Sequence, residues 1–240
     1  MMVKQFKSKE QIFETAAQLF VEAAKKNIDK KGFFSVALTG GSSPVDLHKL
    51  LATEAYKSQV DWSKVLVFWG DERWVPFEDD LSNTKMSYET LLNHVPVLES
   101  NIFPMYKEGV EAADYAQTYE QILREKLGDD GQLDFIFLGM GDDGHTASLF
   151  PGTEVLHEKE KWVDAYFLVP QDMYRITLTA PFINKADQIV VIAFGEKKAT
   201  ALREVLQGES NPELYPSQLL KPTAGELLFL VDDDVAKMLT

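Results

Sequence analysis

The chain contains no cysteine. That excludes a disulfide framework, a thiolate nucleophile and a cysteine-based zinc site. Histidine is scarce, with 4 residues that do not cluster, so a catalytic metal is not expected. No apolar run approaches the ~20 residues of a membrane-spanning helix. The opening M-M-V-K-Q-F-K-S-K-E lacks the apolar core of a secretory signal, and a cytoplasmic protein is expected. Basic residues are outnumbered, 24 against 38 acidic ones, for a net charge of −14. Nucleic acid and anionic membrane are poor partners for such a surface. An anionic small molecule would need local positive groups to draw it in. Nor is there a G-x-S-x-G nucleophile elbow, which removes support for a serine hydrolase.

What is present centres on L-D-F-I-F-L-G-M-G-D-D-G-H-T-A-S-L-F-P-G, residues 133–152. The apolar run Phe135-Ile136-Phe137-Leu138 reads as a fully buried strand. Gly139, Gly141 and Gly144 follow, and Asp142, Asp143 and His145 stand on that turn. Thr146 to Phe150 reads as a short helical turn stopped by Pro151-Gly152. A strand ending in glycines, acids and a histidine gives up propensity and packing, as functional sites do. A tight turn with a solvated Asp pair would look the same.

With 240 residues, 45% of them hydrophobic, the chain is long enough for a buried core. No linker, repeat or low-complexity segment divides it, so residues 1–240 read as a single domain. Ser8 and Gln11 fit a capping box for an amphipathic helix over 8–27, which Gly32 follows. Residues 33–38 form a strand running into Thr39-Gly40-Gly41-Ser42-Ser43-Pro44. There Ser43 reads as N-cap and Pro44 as the first helical residue. Such a loop is a ready anion site, although it matches neither Walker A nor G-x-G-x-x-G. Residues 65–69 form a strand ending in Gly70-Asp71-Glu72-Arg73. Glu72 reads as half of a surface ion pair. Arg73 has a fork suited to phosphate. Ser82-Asn83 starts a helix, and 111–127 form another with Tyr115 and Tyr119 inward. Strands are expected at 162–169, 175–179, 189–194 and 226–231, with helices at 199–206 and 232–239. Lys197 and Lys198 oppose the dipole of the helix they precede, which makes them candidates for holding an anion.

Strands alternating with helices imply a parallel sheet, and ligands bind outside the carboxyl ends of such strands. Thr39–Ser43, Gly70–Arg73, Gly139–His145 and Gly195–Lys198 all fall at such ends. Converging, they would form a crevice with one histidine, carboxylates, cations and a helix start.

The same segments carry a family resemblance. L-T-G-G-S-S-P, F-W-G-D-E-R-W-V-P with S-N-T-K-M, L-G-M-G-D-D-G-H-T-A-S-L-F-P-G, and R-I-T-L-T-A-P-F-I-N-K-A with A-F-G-E-K-K-A-T-A-L all resemble 6-phosphogluconolactonases. The likeness reaches G-E-L-L-F-L-V-D near the end. It implies an α/β fold, a modified Rossmann-like, mainly parallel sheet with helices on both faces, shared with glucosamine-6-phosphate deaminase and ribose-5-phosphate isomerase. It also implies hydrolysis of 6-phospho-glucono-1,5-lactone in the oxidative pentose phosphate pathway without metal or cofactor. The substrate, a sugar-phosphate lactone, is the expected partner of a monomer or small homo-oligomer.

Lactone hydrolysis needs an activated water, a stabilised oxyanion and a proton for the departing ring oxygen. A neutral histidine can move both protons, and His145 is assigned that role. Asp71 and Asp143 are candidates for fixing its tautomer or touching the sugar. Arg73 serves either the developing negative charge or the phosphate. Lys198 and the Gly40, Gly41, Ser42, Ser43 loop are the expected phosphate grip, with Arg175 a weaker addition. His48, His94 and His157 read as structural. The nearest rival is a deaminase or isomerase on the same fold. In the deaminases a comparable G-x-x-D-G-H turn has a glutamate five residues after the histidine, which assists ring opening. Here Phe150 stands there, and it cannot transfer a proton. A sugar-phosphate sensor would need an attached DNA-binding segment, which this acidic chain does not show.

Overall fold

The computed structural model describes residues 1–41 and 43–240, with the side chain of Ser43 also outside the description. Nine strands are described: β1 (Met2–Phe6), β2 (Phe34–Leu38), β3 (Val65–Trp69), β4 (Asp71–Arg73), β5 (Phe135–Gly139), β6 (Val163–Leu168), β7 (Met173–Leu178), β8 (Gln188–Ala193) and β9 (Glu226–Asp232). The helices are α1 (Lys9–Lys31), α2 (Ser43–Leu51), α3 (Glu54–Lys57), α4 (Asn83–Thr90), α5 (Ala112–Leu127), α6 (Ala180–Ile183), α7 (Ala199–Gln207) and α8 (Asp233–Ala236). None is long and apolar enough to cross a membrane.

Six strands form one parallel sheet in the order β1-β9-β8-β5-β2-β3. Its inner strands are apolar on both faces, because helices cover both sides and leave no wet face to alternate toward. From β2 the chain moves outward to β3, whereas from β5 it moves the other way to β8 and β9. The β2–β5 pair, joined at Val36–Phe135 and Ala37–Ile136, is therefore the point where connection direction reverses. An open crevice forms outside the carboxyl ends at such a point.

The first helix shows why the sequence settles there. Ser8 Oγ accepts from Gln11 N at 3.4 Å, while Gln11 Oε1 accepts from Lys7 N at 3.1 Å, a capping box shifted by one residue. Its inward stripe packs Phe20 against Phe34, Phe137 and Trp62. Burying each such ring is worth roughly 1.5–3 kcal/mol. Gly32 closes the helix at φ 88°, donating to the Ile28 carbonyl at 2.9 Å.

A second sheet, antiparallel and ordered β4-β7-β6, stands beyond the carboxyl end of β3. Gly70 is the junction. Its N–H donates to Leu38 O in the large sheet, and its carbonyl accepts from Leu178 N in the small one, each at 2.8 Å.

Several sequence expectations shift. β1 adds to the expected strands, and Asp71–Arg73, expected only as the end of the preceding strand, forms a strand of its own. Residues 146–150 are not helical: Thr146 and Leu149 form an isolated antiparallel bridge around Ala147, whose φ is 47°. Helix α2 starts at Ser43, one residue ahead of Pro44, so Ser43 is the first helical residue and not the cap. Tyr115 and Tyr119 are inward as expected.

Candidate functional site

A crevice of about 210 Å³ opens at the β2–β5 reversal. Thr39, Gly40 and Gly41 line it from the end of β2, Asp71 and Arg73 from β4, and Gly139 to Gly141 with His145 from the end of β5. Asn83, Ala147, Arg175 and Lys198 complete the wall. The four expected segments thus meet, with Ser42 and the side chain of Ser43 outside the described residues.

His145 comes first because its surroundings are the most specific. Its Nδ1 lies 2.6 Å from Asp143 Oδ1, and the same oxygen accepts from the His145 N–H at 3.0 Å. Burial pushes the Asp143 carboxyl up, but those hydrogen bonds and the charge of His145 outweigh it, and its pKa sits below the ordinary value. An ionised carboxylate only accepts, so of the two neutral tautomers this contact selects the one with the proton on Nδ1 and the lone pair on Nε2. Phe150 stacks on the ring, with centroids 4.1 Å apart and planes 22° from parallel. A β-carbon at position 141 would collide with both the His145 ring and the Asp143 carboxylate, so glycine is required there. Residues 139–144 also carry G-x-G-x-x-G spacing. No helix follows them, so the helix start that would hold a pyrophosphate is missing.

Asp71, unlike Asp143, does not touch the imidazole. It is 5% exposed and accepts from Arg175 Nη2 at 2.9 Å and from Ser148 Oγ at 2.6 Å, both on Oδ2. Arg175, 4% exposed, also donates through Nε to Ser148 Oγ at 2.9 Å and through Nη1 to Gln171 at 3.0 Å. All three guanidinium nitrogens are thus engaged inside the protein, and its charge is balanced by Asp71.

Arg73 is different. Its Nη1 holds Leu81 O at 2.8 Å, while its buried Nε has no partner among the described residues. Glu72 beside it corrects the surface-pair expectation. It is 0% exposed, and no ion pair to it occurs among the described residues. Its carboxylate accepts from Asn83 N and Thr84 N at 2.8 Å each, from Thr84 Oγ1 at 2.9 Å and from Arg73 N at 2.8 Å. Burial pushes its pKa up against those bonds. Glu72 therefore serves as the hydrogen-bond acceptor for the free N–H groups at the start of α4.

Lys198 lines the crevice from the turn before α7. Burial holds its amine below the ordinary lysine value; Asp142 and Asp232 pull it back up, and Lys9 pushes it down. A ligand phosphate would relieve that burial cost. His48, His94 and His157 stand elsewhere. His48 is buried beside Thr90, His94 bonds Glu89 O, and His157 meets Glu213. Among the described residues, no three His, Asp or Glu side chains are grouped as a metal would need.

Sequence reasoning did not single out Asn83 and Ser148. Asn83 Nδ2 donates to Asp71 O at 2.9 Å, and a β-carbon at Gly40 would strike its side chain. The S-N pair at a helix start was the available signal for Asn83. Nothing local marks Ser148, whose partners come from other strands.

The family described as glucosamine-6-phosphate isomerases/6-phosphogluconolactonase matches residues 7–229. This chain belongs to that family. The 6-phosphogluconolactonase of Synechocystis sp. is 36% identical over 236 residues, covering 97% of this chain and 95% of its own length. Among solved structures, the 6-phosphogluconolactonase from Trypanosoma cruzi aligns at a TM-score of 0.85 and 27% identity, covering 100% of this chain and 97% of its own. A monomeric glucosamine-6-phosphate deaminase reaches the same TM-score of 0.85 at 20% identity, covering 99% and 100%. Its likeness concerns the fold alone. Both branches of the family share this architecture, so particular residues must separate them.

Proposed function

We propose that this chain hydrolyses 6-phospho-D-glucono-1,5-lactone to 6-phospho-D-gluconate, the lactone step of the oxidative pentose phosphate pathway, with residues 1–240 acting as one domain. The observation that carries this is the His145 environment: Asp143 fixes the Nδ1 proton, Nε2 is left as a base, and Phe150 stacks on the ring. Family membership and the names of the relatives supply the substrate.

In this reading a water gives a proton to His145 Nε2 as its oxygen bonds to the lactone carbonyl carbon. The carbonyl oxygen gains negative charge, which Arg73 stabilises. The carbon–ring-oxygen bond then breaks, and the His145 imidazolium returns the proton to the departing ring oxygen. The new carboxylic acid ionises into solvent. Lys198 and the backbone of the Gly40–Gly41 loop hold the phosphate. Asp71 and Arg175 hold the floor on which Arg73 and the His145 loop stand. The acidic net charge fits a cytoplasmic enzyme that takes a small molecule and neither nucleic acid nor membrane.

Deamination of an amino sugar is disfavoured by Phe150. Ring opening needs an acid working with the histidine, and an apolar ring occupies that face. Offering the purified protein the lactone and glucosamine 6-phosphate in separate assays tests the choice. Rapid lactone loss without ammonia release is expected. Ammonia production at a comparable kcat/KM overturns the assignment.

A further inference from the structure

The loop that carries His145 is held at Ser148 more than at any other point. Ser148 is 0% exposed. Its hydroxyl donates to Asp71 Oδ2 at 2.6 Å and accepts from Arg175 Nε at 2.9 Å. Its N–H donates to Thr177 Oγ1 at 3.2 Å, and its carbonyl accepts the Tyr166 hydroxyl at 2.6 Å. These partners come from β4, β7 and β6, so every strand of the small sheet grips this one residue. Between Ser148 and His145 stands Ala147, a crevice residue held at φ 47°. A left-handed alanine costs ~1–2 kcal/mol and persists only where its surroundings impose it. The grip on Ser148 is what imposes it. Two residues beyond Ser148, Phe150 stacks on the imidazole. The segment is thus pinned at its middle and meets the ring at both ends.

We propose that Ser148 is a positioning residue: it ties the His145 loop to the antiparallel sheet and so fixes where Nε2 stands above the crevice. The inference rests on the lactonase reading and adds a role for the small sheet within it. Ser148 is not a nucleophile here. Its hydroxyl proton is committed to Asp71 and its oxygen to Arg175, and Ser148 itself is fully buried outside the crevice lining.

Ser148→Ala should lower kcat ~10–100-fold, the scale of an ångström-sized misplacement of a catalytic group, and change KM less than ~3-fold. Ser148→Thr and Ser148→Val form a second pair of equal bulk, of which only threonine keeps the hydroxyl. The threonine variant should retain at least ~10-fold more kcat. Tyr166→Phe removes only the donor to the Ser148 carbonyl, folds with the cluster intact, and should lower kcat several-fold at unchanged KM. A further readout needs no turnover: the Nδ1–H resonance of His145 in ¹⁵N-labelled protein, assigned by its loss in His145→Gln. It should be sharp in the wild type and broadened or shifted in Ser148→Ala and, more mildly, in Tyr166→Phe. A Ser148→Ala or Tyr166→Phe protein with wild-type kcat and an unchanged resonance overturns the proposal. Wild-type protein inert toward the lactone would sink the functional reading instead, while the resonance still decides the placement.

Discussion

In the parallel sheet, β5 and β8 bury Ile136, Phe137, Leu138, Ile189 and Val190 against one another and the helices, with nothing charged among them. In the antiparallel sheet, β4 and β7 bury Asp71, Glu72, Arg175 and Thr177. The first arrangement gains free energy from every buried methylene through contacts that have no preferred direction. The second carries a large desolvation cost that only close, fully partnered geometry offsets. Its value lies in placement. The ion cluster sits beneath the loop that presents His145, and Glu72 and Asn83 tie the start of α4 to the same strand. On the proposed reading, one sheet mainly supplies stability and the other places His145 and its neighbours.

That division can be broken at defined points. The largest effect is expected from Asp71→Ala, which leaves the Arg175 guanidinium buried without its carboxylate. Loss of one partner of a buried pair costs ~3–5 kcal/mol, so denaturant unfolding should register that loss and kcat should fall with it. A loss below ~1 kcal/mol would mean that the cluster does not hold the small sheet. Ile189→Ala on β8 should cost ~2–5 kcal/mol of stability, with kcat of the folded enzyme within about 2-fold of wild type. A large kcat defect in a well-folded Ile189→Ala protein would erase the distinction between the sheets. Smallest is Lys198→Ala, which on the proposed reading removes a charged hydrogen bond to the phosphate worth ~1.5–3 kcal/mol. KM for the phosphorylated lactone should rise ~10–100-fold, with little change toward unphosphorylated gluconolactone. Because burial lowers the Lys198 pKa from 10.5, its charge is present below the lowered value and is lost as pH rises through it. Wild-type affinity for 6-phosphogluconate should therefore weaken before pH 10.5, and Lys198→Ala should abolish that dependence. Full retention of phosphate preference in the variant would assign the grip elsewhere.

The contrast between the sheets also marks what the sequence could convey. β2, β3, β5, β8 and β9 are continuous apolar runs whose burial is written in their composition, and they are visible from the residues alone. So are the Ser8 cap and the glycine turns at strand ends. β1 is an exposed edge strand with Lys4 and Gln5 in it; only its pairing with β9 makes it a strand. β4 is three charged residues that become a strand because β7 lies alongside. Glu72 looked solvated because nothing local shows that the start of α4 will fold over it. The helical reading of 146–150 failed where long-range anchors on Ser148 override local propensity. In the site, His145, Asp143 and Lys198 announced themselves as chemistry-bearing residues beside glycines. Ser148 and Asn83 did not, since their roles exist only through partners distant in sequence, such as Asp71 and Arg175.

The most direct test follows the disappearance of freshly generated 6-phosphogluconolactone against its spontaneous rate, with wild-type protein and with His145→Ala shown to be folded by its unfolding transition. The wild type should accelerate the loss strongly. His145→Ala should lose ~10²–10⁴-fold in kcat, the usual worth of a general acid–base group. A folded His145→Ala protein that turns the lactone over at near wild-type kcat would contradict the account.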